Sequence, residues 1–137
     1  LESRCVSEGI KIKCNLCPHL PEIDADPAQI SQVFVCLMVN AIQAMPRGGT
    51  ISIRTRRVRD KVSIIIEDTG TGMTEDVLQK IFTPFFTTKD VGIGTGLGLP
   101  VVHGILTAHG GTIKIDSQVG TGTKCRIKLP AGRSRTC

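Results

Sequence analysis

Apolar and polar positions alternate along five short segments of the chain, and this alternation predicts five β-strands. The segments lie within residues 10–14, 51–53, 62–66, 113–115 and 125–129. Tight turns are predicted at Arg59-Asp60 and at Gly120-Thr-Gly122, and strands joined by such turns pair in antiparallel fashion. With helices between the strands, the pattern predicts an α/β (α+β) two-layer sandwich with a mixed sheet rather than a doubly wound parallel fold.

Three helices are predicted between these strands. The longest covers residues 27–45, because Asp26 suits the N-cap and Pro27 suits the first turn. A short helix follows its cap Thr74, and a third covers about residues 97–108. A stretch rich in glycine and proline, at about residues 84–98, is predicted to be a loop between the last two.

The long helix is apolar on nearly all sides, which predicts that it is buried. One narrow lane holds its other residues: Gln29, Gln32, Cys36, Asn40 and Gln43. A buried amide without a partner costs about 1–3 kcal/mol, so this lane must meet polar groups. Two interpretations stay open: the amides bond to loop backbone, or the Asn40 side-chain oxygen binds a hard cation beside a phosphate.

Composition sets bounds on the class of protein. At 137 residues, with 40% hydrophobic and 21% charged residues, the chain is predicted to be one globular domain with one core. No apolar run approaches the roughly 20 residues of a membrane helix. The chain starts abruptly at Leu1-Glu2, as a segment cut from a longer protein would.

The formal charge of +5 raises the question of nucleic acid. The densest basic stretch, residues 54–61, contains no aromatic residue, and the chain has no Trp or Tyr to stack on bases. A solvated hairpin face is therefore predicted, and no nucleic-acid partner is expected.

The cysteines favour a reducing compartment. Cys36 and Cys125 fit core packing, whereas Cys14-Asn-Leu-Cys17 is a lone pair without further metal ligands and is predicted to be a strand entering a loop.

Two glycine-containing motifs carry the chemistry. Asp68-Thr-Gly70-Thr-Gly72 combines a carboxylate with flexible backbone, and Gly94-Thr-Gly96-Leu-Gly98-Leu99 offers bare backbone N–H groups. A carboxylate accepts a hydrogen bond from a base amino group, and backbone N–H groups cradle phosphates. Together the motifs predict a nucleotide site.

The motifs resemble those of sensor histidine kinases. Residues 32–45 are similar to their N box, residues 68–73 to the G1 box, residues 82–89 to the F box and residues 94–99 to the G2 box, in the family's order and spacing. His109-Gly-Gly111 and Gly120-Thr-Gly122-Thr123 fit the family's tail pattern. The resemblance covers about residues 10–130. It implies the Bergerat fold, with a mostly antiparallel sheet, helices on one face and a mobile ATP lid.

The resemblance also implies site residues for ATP and Mg²⁺. Asp68 would accept from the adenine amine, with Thr123 completing the network, and Asn40 would hold Mg²⁺. Gly70 and Gly72 would keep the adenine end open, and Lys89 would contact the γ-phosphate. The catalytic residues would be Asn40 and Lys89. The other predicted nucleotide-binding residues are Gln43, Met73, Ile81, Thr87, Thr88, Gly94, Thr95, Gly96, Leu97, Gly98 and Leu99.

One departure from the family pattern limits the chemistry that is expected. Cys36 stands where the family usually carries an additional Asn, so a phosphate contact is lost and activation of water is not expected. This argues against a hydrolytic Bergerat ATPase, and the F box argues against a serine kinase of the anti-sigma type. A nucleotide-sensing module without catalysis stays open as an alternative.

His19, His103 and His109 do not lie in the family's phosphoacceptor setting and are predicted to be structural. The expected activity is that of a protein-histidine kinase catalytic domain. Its expected partners are the histidine-containing dimerisation domain of the same parent protein, a homodimer at full length, and a response regulator. A cytoplasmic location without membrane contact by this segment is expected.

Overall fold

The computed structural model describes residues 9–16, 26–80 and 98–130. These residues contain a five-stranded sheet in the order β1-β2-β3-β5-β4. The strands are β1 (Ile10–Asn15), β2 (Gly49–Val58), β3 (Lys61–Asp68), β4 (Thr112–Gln118) and β5 (Gly122–Pro130). Only the β1–β2 pair is parallel among these strands, and the other three pairs are antiparallel. The predicted mixed, mostly antiparallel sheet is confirmed.

Helices cover one face of this sheet. They are α1 (Pro27–Gln43), α2 (Glu75–Lys80) and α3 (Gly98–Ala108), and α1 packs against both α3 and β3. The core lies between the two layers, where inward side chains such as Ile51, Ile64 and Ile127 meet Ile42 and Leu106. The two-layer sandwich expected from the sequence is therefore confirmed.

Helix α1 begins as predicted and ends slightly earlier. The Asp26 side chain accepts a hydrogen bond from the Ala28 N–H at 2.9 Å, and Pro27 occupies the first turn. The last helical residue is Gln43, with Ala44 as the C-cap. Met45 then donates its N–H to the Ile42 carbonyl at 3.1 Å, a tighter turn that directs the chain away from the helix axis.

The prediction that α1 is buried on nearly all sides is wrong. Val35 is 48% exposed, and Gln29 and Gln32 are also exposed. The described helices form a single layer, so the sheet and α3 cover only one side of α1. That side carries the buried residues Val33, Leu37, Met38, Ala41 and Ile42. The structure thus places α1 at the surface of the sandwich.

The two predicted hairpin turns are present. Arg59 and Asp60 join β2 to β3, with Arg59 at φ 60°, and residues 119–121 join β4 to β5. The basic stretch lies on the first hairpin, where Arg54 and Arg56 are exposed and Arg54 forms a surface ion pair with Glu67 at 3.5 Å.

His109 connects the two larger helices. Its Nδ1 lies 2.7 Å from the Ile105 carbonyl oxygen, and its Nε2 accepts a hydrogen bond from the Asp26 N–H at 3.2 Å. The neutral ring with its proton on Nδ1 satisfies both contacts. The ring thus links the C-terminal end of α3 to the N-cap of α1, which supports the structural interpretation of this histidine.

Several predicted features fall on residues that the structure does not describe. The predicted lid at 84–98 lies outside the described residues except for Gly98, as do Ile81, Cys17 and His19. Among the described helices, none combines the length and the apolar character needed to cross a membrane.

Two glycines near the end of α3 differ sharply in their surroundings, which makes a matched test of the fold. A Cβ at Gly104 meets nothing within 4 Å, whereas a Cβ at Gly111 would lie 2.6 Å from the Lys128 carbonyl oxygen. We expect Gly104→Ala to raise the free energy of unfolding by about 0.5–1 kcal/mol, because glycine is unfavourable inside helices. Gly111→Ala should lower it, because β5 backbone must shift.

Chemical denaturation of the two variants and the wild type measures this difference. Equal stability of both variants would contradict the close packing of Gly111 against β5.

Candidate nucleotide-binding site

A buried carboxylate ends the central strand of the sheet. Asp68 is the last residue of β3 and is only 8% exposed. It continues the inward-facing row of Val62, Ile64 and Ile66, so the strand alternation that builds the core also places this side chain on the helix-covered face. In register it lies between Ile51 of β2 and Thr123 of β5.

Two backbone N–H groups fix the orientation of this carboxylate. Oδ1 of Asp68 accepts hydrogen bonds from the N–H of Gly70 at 2.8 Å and from the N–H of Thr123 at 3.3 Å. Both bonds use the same oxygen of the carboxylate. These two N–H groups therefore hold the carboxylate through Oδ1.

Burial raises the pKa of Asp68 above its ordinary value, because desolvation disfavours the charged form. The two backbone N–H groups act in the opposite direction, and neighbouring Glu67 adds to the rise. Desolvation is the largest of these effects, so the ionised Asp68 carboxylate is destabilised in the folded domain.

The loop after β3 is built by close backbone contacts. A Cβ at Gly70 would lie 2.6 Å from the carbonyl oxygen of Ala44, the C-cap residue of α1. The same carbonyl oxygen accepts a hydrogen bond from the Thr71 N–H at 2.9 Å. Gly72 has φ +73°, and a Cβ there would overlap the Gln118 carbonyl. The sequence led us to expect that Gly70 and Gly72 keep an adenine end open. The structure gives both a role inside the protein, and their contact with a nucleotide stays a prediction.

A network of hydroxyl groups extends from Asp68 toward the edge of the sheet. Thr123 of β5 is the cross-strand partner of both Asp68 and Ser117, a residue of β4. Oγ of Ser117 lies 2.8 Å from Oγ1 of Thr123, accepts from the Met73 N–H at 2.8 Å and lies 3.2 Å from the Gly122 carbonyl oxygen. The predicted residues Met73 and Thr123 are thus connected through Ser117.

Sequence reasoning missed Ser117. Its only signal was its position two residues after Ile115, where a hydroxyl replaces the apolar side chain expected on the inward face of β4.

The polar lane of α1 reaches the same end of the domain. Asn40 and Gln43 are half-buried in the last turns of the helix, and Ala44 directly follows them with its hydrogen bond to Thr71. The structure therefore brings the C-terminal end of α1 together with the loop that follows Asp68.

Two thiols near the site are poor bases. Cys36, one turn before Asn40, is half-buried against the core, and burial raises its pKa. Cys125, two residues after Thr123, is buried, and burial together with the charge of Asp68 raises its pKa to about 12. Both thiols stay protonated near neutral pH, which fits the predicted core packing.

The described residues contain no group of three or more His, Cys, Asp or Glu side chains that could hold a metal ion. The cation ligand predicted for this site from the sequence is the amide oxygen of Asn40, together with oxygens of a bound ligand. Mg²⁺ commonly takes few protein ligands and several phosphate or water oxygens, so this donor set fits it.

The predicted residues toward the lid are described only in part. Gly98 begins α3, and Leu99 is half-buried against the core. Ile81, Thr87, Thr88, Lys89, Gly94, Thr95, Gly96 and Leu97 lie outside the described residues. Their contacts with a nucleotide stay predictions from the sequence.

The sheet order, the helix layer on one face and the buried Asp68 before a glycine loop define a Bergerat-type domain. Residues 25–133 match the family described as histidine kinase-, DNA gyrase B- and HSP90-like ATPase, and the chain belongs to this family.

The similar proteins include sensor and histidine kinases. The sensor kinase CckA of Brucella abortus is 47% identical, over 95% of this chain and 15% of that protein. The catalytic domain of the histidine kinase ThkA is 31% identical, with a TM-score of 0.83 over 95% of this chain and 84% of that one. Full-length ShkA, whose crystal structure is a complex with AMPPNP, is 26% identical, with a TM-score of 0.85 over 98% of this chain and 28% of that chain. The Bergerat fold of histidine kinase catalytic domains is thereby confirmed. The chain spans only a small part of the length of the curated relative.

The raised pKa of Asp68 leads to a test of stability without any ligand. The protonated Asp68 carboxyl contributes its full stabilisation of the folded state when the pH is below the pKa of aspartate in the unfolded chain. This stabilisation is lost as the pH rises through the higher pKa of Asp68 in the folded domain. We therefore expect Asp68→Asn to be more stable than the wild type at pH 7, by a margin that shrinks as the pH falls toward 4.

Urea denaturation across this pH range measures the margin. Asp116→Asn, which alters an exposed carboxylate on β4, is the control. A margin that is independent of pH would show that burial of charge at Asp68 does not limit stability.

Proposed function

We propose that this domain binds Mg-ATP and supplies its γ-phosphoryl group for phosphorylation of a histidine on a separate dimerisation domain of the same parent protein. The observation that carries the proposal is the buried Asp68 carboxylate, held through Oδ1 by two backbone N–H groups. Membership in the ATPase family and the similarity to sensor kinases support it. The complex of full-length ShkA with AMPPNP supports nucleotide binding.

Asp68 recognises the base by its hydrogen-bonding character. An ionised carboxylate only accepts hydrogen bonds, so Oδ2 suits the exocyclic amine of adenine and repels the carbonyl oxygen of guanine. Hydrogen bonds to charged groups contribute about 1.5–3 kcal/mol, and burial removes competing water. Burial therefore destabilises the free carboxylate and also strengthens its hydrogen bond to the amine of the matching base.

Asn40 is the proposed ligand of Mg²⁺. Its amide oxygen is a hard donor on the half-buried end of α1, and the phosphate oxygens of ATP would complete the coordination. When bound, the cation neutralises the charge of the phosphates. Asn40 lies one helix turn before Ala44, whose carbonyl bonds to the loop after Asp68. The cation and the base would therefore be bound by neighbouring parts of the protein.

The phosphate end of the site is assigned from sequence motifs. Lys89 would contact the γ-phosphate, with Thr87 and Thr88 beside it, and the glycines at 94, 96 and 98 would allow backbone to approach the phosphates. Helix α3 begins at Gly98, and the N–H groups of a helix N-terminus favour anions.

Hydrolysis of ATP by this domain alone is not favoured by the structure. Cys36, one turn before Asn40 on α1, is a thiol whose pKa is raised by burial, so it does not serve as a base that activates water at neutral pH. Transfer to an external acceptor is therefore the better proposal.

The acceptor is proposed to lie outside this chain. Both ring nitrogens of His109 are engaged, by the Ile105 carbonyl and the Asp26 N–H. The chain covers 15% of the length of the CckA relative, which leaves ample sequence for other domains in a parent of that size. A homodimeric dimerisation domain, a response regulator and a cytoplasmic location are parts of this proposal.

Phosphoryl transfer tests the proposal directly. With γ-labelled Mg-ATP we expect this chain to stay unlabelled alone and to label the histidine of the parent protein's dimerisation domain when that domain is added. Asn40→Ala should reduce the transfer rate by about 100-fold or more, because positioning and charge neutralisation supply most of the catalysis in phosphoryl transfer. Gln29→Ala, an exposed amide on the same helix lane, should transfer normally.

Stable label on a histidine of this chain would overturn the division into catalytic and acceptor domains. A normal rate for Asn40→Ala would show that Asn40 is only a structural amide.

A further inference from the structure

Three polar residues form one row across the sheet at the candidate site. Ser117 of β4, Thr123 of β5 and Asp68 of β3 are successive cross-strand partners, and their side chains lie on the helix-covered face. Thr123 is the middle member, with its N–H bonded to Asp68 and its hydroxyl 2.8 Å from Ser117. The row therefore couples the edge strand β4 to the carboxylate.

The protons in this row can be counted. Ser117 has one hydroxyl proton and two lone pairs. It accepts from the Met73 N–H, and only it can donate in the contact with the Gly122 carbonyl oxygen. Either oxygen could donate in the 2.8 Å contact between Ser117 and Thr123, and with the Ser117 proton placed on the Gly122 carbonyl it is the Thr123 hydroxyl that donates there. One order of donors satisfies all three contacts: Thr123 donates to Ser117, and Ser117 donates to Gly122.

This order determines what Thr123 offers to a ligand. Its single hydroxyl proton is used within the protein, so Oγ1 keeps only lone pairs. Asp68 beside it is also an acceptor when ionised. The row therefore presents acceptors alone to a ligand edge, which suits an amino group and does not suit a carbonyl group.

We propose that Ser117 is a positioning residue that sets the base specificity of the site, because it makes the Thr123 hydroxyl an acceptor and thereby selects a 6-amino purine over a 6-oxo purine. This inference rests on the proposed nucleotide binding. Ser117 acts through Thr123, and it also holds the Met73 backbone next to the site. Without the Ser117 hydroxyl, the Thr123 proton is free to donate to a 6-oxo group.

A pair of variants isolates the hydroxyl. Ser117→Thr keeps it, whereas Ser117→Val has the same branched shape without it. Displacement of a fluorescent nucleotide by ADP, GDP and ATP gives the three affinities for each protein. We expect Ser117→Thr to keep the wild-type preference for ADP over GDP and Ser117→Val to reduce that preference about tenfold, about the effect of one hydrogen bond.

The ratio of ATP affinity to ADP affinity should stay unchanged in both variants, because these two nucleotides share the base and differ only in the γ-phosphate. Ser63→Ala is the matched control, because Ser63 is a buried serine on the opposite face of β3. If the role of Ser117 were purely structural, Ser117→Val would lower the affinities for all three nucleotides by the same factor.

An unchanged ADP preference in Ser117→Val, or equal loss in Ser117→Thr, would overturn the inference. If Ser117→Val does not fold, Ser117→Ala replaces it with the same expectation. A wild-type domain without preference for ADP would instead count against the proposed function, so the two failures are distinguishable.

Discussion

The site depends on a carboxylate that the fold buries and that two backbone N–H groups hold through one oxygen, Oδ1. Asp68 occupies the last inward position of the central strand β3, where its alternation partners are core isoleucines. Two backbone N–H groups partly offset the loss of water around Oδ1. The remaining cost is visible as a raised pKa, and a ligand donor at Oδ2 would offset it further.

The surrounding backbone follows from this arrangement. For the Gly70 N–H to reach Oδ1, the chain must turn immediately after β3, and the turn lies against the Ala44 carbonyl at the end of α1. Gly122 lies on the other side, at φ +132°, where a Cβ would overlap the Asp68 carbonyl. Side chains are excluded at these contacts. The same packing brings the end of α1 that carries Asn40 to the loop after Asp68, so the proposed metal ligand and the proposed base acceptor lie on elements that contact each other.

The sequence predicted the parts of this arrangement that depend on local pattern. Alternation revealed the strands, Asp26 and Pro27 marked the start of α1, and the carboxylate before two glycines indicated the site. The exposure of Val35 was missed, because a helical wheel counts apolar residues and cannot count the layers that cover a helix. Ser117 was missed for a related reason: its role depends on the register between β4 and β5, and register is a property of strand pairing rather than of one segment.

The central claim is that Asp68 selects an adenine base, and the ratio of ADP to GDP affinity in Asp68→Asn tests it most directly. The amide keeps an oxygen for the Gly70 and Thr123 N–H groups and turns its NH₂ toward the ligand, so a donor replaces an acceptor. Isothermal titration at pH 7 should show a strong preference for ADP in the wild type and in Asp116→Asn, an exposed control on β4. In Asp68→Asn the affinity for ADP should fall about tenfold or more, while that for GDP should hold or rise. Equal losses for both nucleotides, or an unchanged preference for ADP, would contradict the account.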